Sequence, residues 1–158
     1  MKNPIRPVDD DARALAVDLI AQAKFGALAV ETTEGPMVSR IALAQIAGFG
    51  LVSLVSDLSH HTQALQHSPR VSLLVGEPGE KGDALTHPRL TIQAQAVRVE
   101  HDTDTFREIA HEYLERLPKS KLYIDFLDFV FLQFKPVQAH LNGGFGKAYV
   151  LQPSDLAA

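Results

Sequence analysis

The chain contains neither cysteine nor tryptophan among its 158 residues. Without thiols it can build no disulfide, no thiolate metal site and no cysteine nucleophile, and such a composition suits a reducing compartment. Long apolar runs are missing as well: no stretch approaches the roughly 20 residues needed to cross a bilayer. The opening Met1 to Pro7 runs straight into Asp9, Asp10 and Asp11, without an apolar signal core. A strong charge excess is also absent, since 15 Lys and Arg stand against 19 Asp and Glu for a net charge of -4. The basic residues are scattered, which argues against a surface that tracks nucleic-acid phosphates. These absences predict a soluble, cytoplasmic protein with neither a membrane nor a nucleic-acid partner.

Several chemical signatures are missing too. No serine lies in a Gly-x-Ser-x-Gly elbow, and no Gly-x-Gly-x-x-Gly opens a helix after a strand. There are seven histidines, but only His60 and His61 are adjacent, and neighbouring helical side chains diverge too far to chelate one ion. No metal site is expected. His87, His140, Asp125 and Asp128 are better explained by ordinary hydrogen bonding or by marking the ends of elements.

The length suits one domain, residues 1–158, with a core large enough to need no staple. Val8 to Phe25 has an acidic start and an apolar stripe through Ala12, Leu15, Ala16, Leu19, Ile20 and Ala23, so it predicts a helix ended by Gly26. Ala27 to Glu31, Met37 to Ile46 and Leu51 to Ser56 read as a three-stranded meander with tight connections. A short helix from Ser59 to Gln66 follows, then a strand from Arg70 to Gly76 and an exposed Gly- and Pro-rich loop from Glu77 to Pro88. Arg89 to Glu100 alternates for a long way, with Leu90, Ile92, Ala94 and Ala96 facing a core and Thr91, Gln93 and Gln95 on a polar face. A helix capped at Asp102 to Asp104 and a last buried strand from Asp128 to Ala139 complete the series. About six strands with peripheral helices make an α+β domain around a small, nearly closed antiparallel barrel.

The segment Val55 to Leu65 carries the clearest chemistry. It leaves an apolar strand and turns into a helix through Ser56, Ser59, His60, His61 and Thr62. The first N–H groups of a helix lack intrahelical partners and the dipole is positive there, so such a corner can hold an anion. Arg40, Arg70 and Arg89, in or beside strands, could each hold one anionic group.

Five ordered blocks extend this reading: Met37 to Leu43, Ser56 to Thr62, Ala84 to Thr91, Leu122 to Phe129, and Asn142 to Ala148. Together they resemble the FMN-binding split barrels related to pyridoxamine 5'-phosphate oxidase, and within them the haem-utilisation (HugZ-type) branch. The resemblance implies a six-stranded antiparallel split β-barrel of the Greek-key FMN-binding type. It also implies a homodimer with FMN in a cleft between subunits, and hydride or electron transfer at the flavin to or from a small-molecule substrate. Carried over position by position, it assigns cofactor binding to Ser39, Arg40, Gln45, Ser56, His61, Thr62 and Arg89. The alternatives it leaves open are haem binding or degradation, or a flavin- or tetrapyrrole-binding dimer without turnover. Two departures stand out. His61 and Thr62 occupy the place of a basic pair, and Gln45 that of a lysine, so the corner is less positive than in the oxidases. The tail from Lys147 to Ala158 has no histidine of the kind that haem-degrading relatives use on iron, nor the basic and aromatic segment of the vitamin-forming enzymes.

Overall fold

The computed structural model describes residues 3–157. Helix α1 (Asp10–Gln22) starts where Asp9 Oδ1 accepts the Ala12 N–H at 2.8 Å, and Asp10 and Asp11 complement the positive end of the dipole. It ends at Ala23. Gly26 therefore lies inside strand β1 (Phe25–Thr32) rather than ending the helix. Its lack of a side chain serves packing: a Cβ there would lie 2.8 Å from Leu43 Cδ1 and 2.8 Å from the Leu74 carbonyl oxygen.

The meander expected from Ala27 to Ser56 is not a simple one. Strand β2 (Gly35–Ala42) pairs with β1, while the residues that follow form a separate strand, β3 (Ala44–Ile46), which pairs with β4 (Gly50–Ser56). Helix α2 (His60–Ala64) and strand β5 (Arg70–Val75) come next. A 3-10 turn at Ala84–Thr86 sits in the loop before β6 (Arg89–Val99), followed by α3 (Asp104–Arg116) and a second 3-10 turn at Pro118–Leu122. Strands β7 (Phe129–Asn142) and β8 (Ala148–Leu151) and a last 3-10 turn at Pro153–Leu156 complete the order.

All strands join one eight-stranded antiparallel sheet in the order β2-β1-β5-β6-β7-β4-β3, with β8 paired to β7. Eight strands replace the six expected: Leu43 splits one predicted strand in two, and β8 adds the other. The α+β class stands. Because β2 and β3 lie at opposite ends of the sheet order but are joined by Leu43 alone, the sheet must curl until its two ends meet. Leu43 is fully buried at that junction, and its N–H donates to the Lys24 carbonyl at 2.9 Å. A register shift between β6 and β7 at Gln93 and Ala94 adds a bend, with Pro136 beside it, at a place where a strand tolerates a missing donor.

Two apolar cores result. One fills the curl, from Ala16 and Ile20 of α1 to Leu28, Leu73, Ile92 and Leu141. The other lies under α3 and joins Val52, Ile109, Tyr113 and Phe131. Strand β4 serves both, with Leu51 and Val55 on one face and Val52 and Leu54 on the other, which is why it reads as a continuous apolar run. Strand β6 alternates as its sequence predicts from Leu90 to Ala96; beyond that the phase changes, with Val97 and Arg98 exposed and Val99 buried in the second core.

Candidate functional site

The edge of β2 facing away from β1 pairs with no other strand, and β4 passes beside it unpaired. This seam is where the strand-to-helix corner falls. The chain leaves β4 at Ser56, turns through Asp57 and Leu58, and enters α2, which packs against β1. The helix is shorter than the Ser59 to Gln66 expected, and Ser59, although at its N-cap, makes no side-chain hydrogen bond there.

Within the corner, Ser39 Oγ and His61 Nδ1 share a hydrogen bond of 3.3 Å across the seam. Burial pushes the His61 pKa below its ordinary value, so the imidazole is neutral near pH 7. Among the described residues its Nε2 is buried without a hydrogen-bond partner, and so is the hydroxyl of Thr62, a residue only 3% exposed. Buried polar atoms without partners are uncommon and costly; the others among the described residues are Ser53 Oγ and His101 Nδ1, and only at this corner do two fall on adjacent residues.

Ser56 has a different role. Its Oγ donates to Asp128 Oδ2 at 2.7 Å and accepts the Leu58 N–H at 3.1 Å, while the Asp57 N–H donates to the Asp128 carbonyl at 2.7 Å. Asp128 thus pins the turn to the start of β7, and the Ser56 hydroxyl proton is committed to it. Asp57 is held in turn by Arg98 through a two-pronged ion pair, with Nη2 to Oδ2 at 2.7 Å, and Arg98 Nε also reaches Glu100 Oε1 at 2.5 Å. That guanidinium lowers the Asp57 pKa below the usual carboxylate range. The sequence marks Asp128 only as a strand start and is silent on Arg98, since the pairing bridges residues 41 positions apart.

Arg40 lies on the outer face of β2, opposite Ala27, with its guanidinium 5.7 Å from the centre of the Phe25 ring. No carboxylate pairs with it among the described residues. It lines a groove of about 450 Å³ shared with Ser39, Arg89 and the apolar side chains of Phe25, Val38 and Leu74. The opposite wall is the loop from Gly76 to Pro88. His87 shapes that loop by accepting the Gly79 N–H at Nδ1 (3.1 Å) and donating from Nε2 to the Lys81 carbonyl (2.6 Å), and Arg89 donates to the Leu85 carbonyl at 3.0 Å.

Of the seven residues singled out in sequence, Ser39, Arg40 and Arg89 share the groove, and Ser39 also joins His61 and its neighbour Thr62 at the seam. Ser56 is tied to Asp128. Gln45, on β3, lines a separate hollow beside Gly48 and Pro136. Chemically, the seam and groove offer unpaired donors, an uncompensated arginine and an apolar floor, a combination suited to a flat ligand with an anionic tail. Among the described residues no three His, Asp or Glu side chains converge to hold a metal, and no helix is long and apolar enough to cross a membrane.

No protein-family model matches the chain. It is 30% identical over 112 residues to the haem oxygenase HutZ of Vibrio cholerae serotype O1, an alignment covering 68% of this chain and 62% of that protein. The fold superimposes with a TM-score of 0.82 on a haem-binding protein from Mycobacterium smegmatis, 27% identical, over 96% of this chain and 61% of that one. It also matches, with a TM-score of 0.71 over 95% of this chain and 100% of the other, a Clostridium acetobutylicum protein related to general stress protein 26, of the pyridoxine-phosphate oxidase family. At 14% identity that last likeness is one of fold. The chain spans about six-tenths of the length of the haem oxygenase and of the mycobacterial protein.

Proposed function

We propose that the chain, 30% identical over 112 residues to a haem oxygenase and similar in fold to a protein of the pyridoxine-phosphate oxidase family, is an FMN-binding flavoprotein of the split-barrel family related to pyridoxamine 5'-phosphate oxidase, in its haem-utilisation branch, whose flavin phosphate enters the seam between β2 and α2. On this reading the curled sheet is the split barrel and the unpaired run of β2 beside β4 is its split. The observation that carries the proposal is the pair of buried polar atoms without partners among the described residues, Thr62 Oγ1 and His61 Nε2, with Ser39, which bonds His61, also lining the groove that holds Arg40. A phosphate would accept from the Thr62 hydroxyl and from the His61 ring, and would neutralise the Arg40 guanidinium. Ser56 is not part of this set, because its proton already serves Asp128.

Bound FMN would supply a ring that accepts a hydride or single electrons, and the protein would supply its position and surroundings. Arg40 and Arg89 would set the charge of the groove, Phe25, Val38 and Leu74 its apolar floor, and the loop held by His87 its cover. Val38, Leu74 and Val137 are exposed on the outer face of the sheet, and in a homodimer they would meet a second copy and complete the cleft.

The experiment is direct. Added FMN is expected to co-elute with the protein and to raise its melting temperature, with about 2.7 kcal/mol of stabilisation at 100 times Kd. If FMN does neither, the proposal fails. Light scattering after gel filtration is expected to give twice the chain mass, and a monomer would remove the shared cleft.

A second reading, haem binding, draws on the relatives described as a haem oxygenase and a haem-binding protein. Arg40 and Arg89 suit the two carboxylates of such a ligand. His87 fits an iron ligand poorly, since both ring nitrogens are already engaged. His140 fits better: it is exposed on the outer face of β7, opposite Thr91, and its one side-chain bond among the described residues is a single contact of 3.3 Å in which the Gln138 amide donates to Nε2, leaving Nδ1 free. A Soret band on haem titration that is lost in His140→Ala would favour this reading over flavin.

A further inference from the structure

We propose that the hollow at the α1 side of the sheet is a second binding site, taking a small amphipathic carboxylate separately from the seam. The hollow measures about 230 Å³ and is lined by Ile20 of α1, Leu51 of β4, Leu73 of β5, Ile92 of β6, Phe134 of β7 and Leu156 of the last 3-10 turn. Each of these residues is at most 6% exposed, so the space is walled by the core itself. Protein interiors are packed as densely as organic crystals, and a core void of about 150 Å³ lined by Leu, Ile and Phe is already large enough to stay dry and take up benzene. This hollow is open at its mouth rather than sealed, and its apolar wall can hold a short hydrocarbon chain whose polar end faces the opening.

The mouth gives the ligand its polarity. Gln45, Gln133 and Lys135 surround it, and a shallower hollow outside shares Gln45, Gly48 and Pro136 and leads to Glu112 and Arg116. Glu112 is already matched: it accepts from Arg116 at 3.1 Å and from the Ala47 N–H at 3.0 Å. Gln133 donates to the Phe49 carbonyl at 2.9 Å. Lys135 has no ion pair, and Gln45 no side-chain hydrogen bond, among the described residues. One free ammonium and one free carboxamide above an apolar void match a carboxylate head on a short hydrocarbon tail. This also explains why Gln45 lies apart from Arg40 and Ser39: on this account it serves the second ligand.

Octanoate and octanol are the probes, followed by methyl NMR of the full chain. Octanoate at millimolar concentration is expected to shift the methyls of Ile20, Leu73, Ile92 and Leu156. K135Q is expected to weaken octanoate about tenfold, the loss of one charge-assisted contact, while leaving octanol unchanged. Ile92→Phe is expected to fill the hollow and abolish both, and Leu156→Phe, a buried position in the C-terminal 3-10 turn, does the same job if the strand variant does not fold. Absence of those methyl shifts, equal octanoate binding by K135Q, or release of bound FMN by octanoate would each overturn the proposal.

Discussion

Thr62→Val separates stability from ligand binding at the seam. Valine keeps the size and branching of threonine but has no hydroxyl, and the wild-type hydroxyl is buried with no partner in a residue only 3% exposed. An unsatisfied buried polar group costs about 1–3 kcal/mol, so removing it should stabilise the ligand-free protein by about 1–2 kcal/mol once the imperfect fit of valine is allowed for. For a domain of this size each kcal/mol moves the melting temperature by about 2–4 °C, so an upward shift of roughly 2–8 °C is expected. FMN binding should move the other way. A hydrogen bond to a charged phosphate is worth about 1.5–3 kcal/mol, so affinity should fall roughly tenfold to a hundredfold. Scanning calorimetry without ligand and flavin-fluorescence titration provide the two readings. A Thr62→Val protein that melts below wild type, or binds FMN equally well, would refute the idea that this hydroxyl is held in reserve for a ligand.

Other predictions test the neighbouring groups. Arg40→Ala should weaken FMN by about tenfold or more in the same titration, with the ligand-free melting temperature nearly unchanged because the side chain is exposed and unpaired. His61 has a folded-state pKa below its unfolded value, so the unfolded chain takes up the proton first and stability falls as pH drops below about 6.5. Melting curves from pH 7.5 to pH 5 should show this decline, and His61→Gln should flatten it. Asp128→Ala removes the acceptor of the Ser56 hydroxyl while keeping the backbone bond from the Asp57 N–H, and a loss of about 1–2 kcal/mol in urea unfolding is expected. Gly26→Ala would drive a Cβ to 2.8 Å from the Leu74 carbonyl oxygen, and thermal melts should record a loss of about 1–3 kcal/mol.

Much of the sheet can be read directly from the residues. The alternation of β6 and the unbroken apolar run of β4 follow from one face, or both faces, meeting a core. The break at Leu43 leaves a fainter trace. Buried residues fall at Ile41 and Leu43, then at Ala44 and Ile46, so the period of two changes phase at adjacent residues, and a slip of phase is what moves a strand's inward set to the other face. Strand β8 is only four residues long and follows a glycine-rich turn, too short for periodicity to stand out. At the site, Arg40, Ser39, His61 and Thr62 can be recognised by residue type and order. Ser56 and Thr62 look alike in sequence, yet one hydroxyl is bonded to Asp128 and the other has no partner. That difference depends on residue 128, far along the chain, so local chemistry carries no sign of it.

The single-residue junction at Leu43 makes the β1–β2 and β3–β4 hairpins two levers on one fulcrum. Leu43 is wedged against Gly26 and tied to Lys24, and the two levers diverge from it, one carrying Arg40 and Ser39, the other Ser56 and the turn into α2. How far the levers splay decides what can enter between them. The aperture is thus set at a buried leucine remote from the donors that would touch a ligand, and a change of side-chain volume at position 43 would act as a gauge adjustment on the whole cleft.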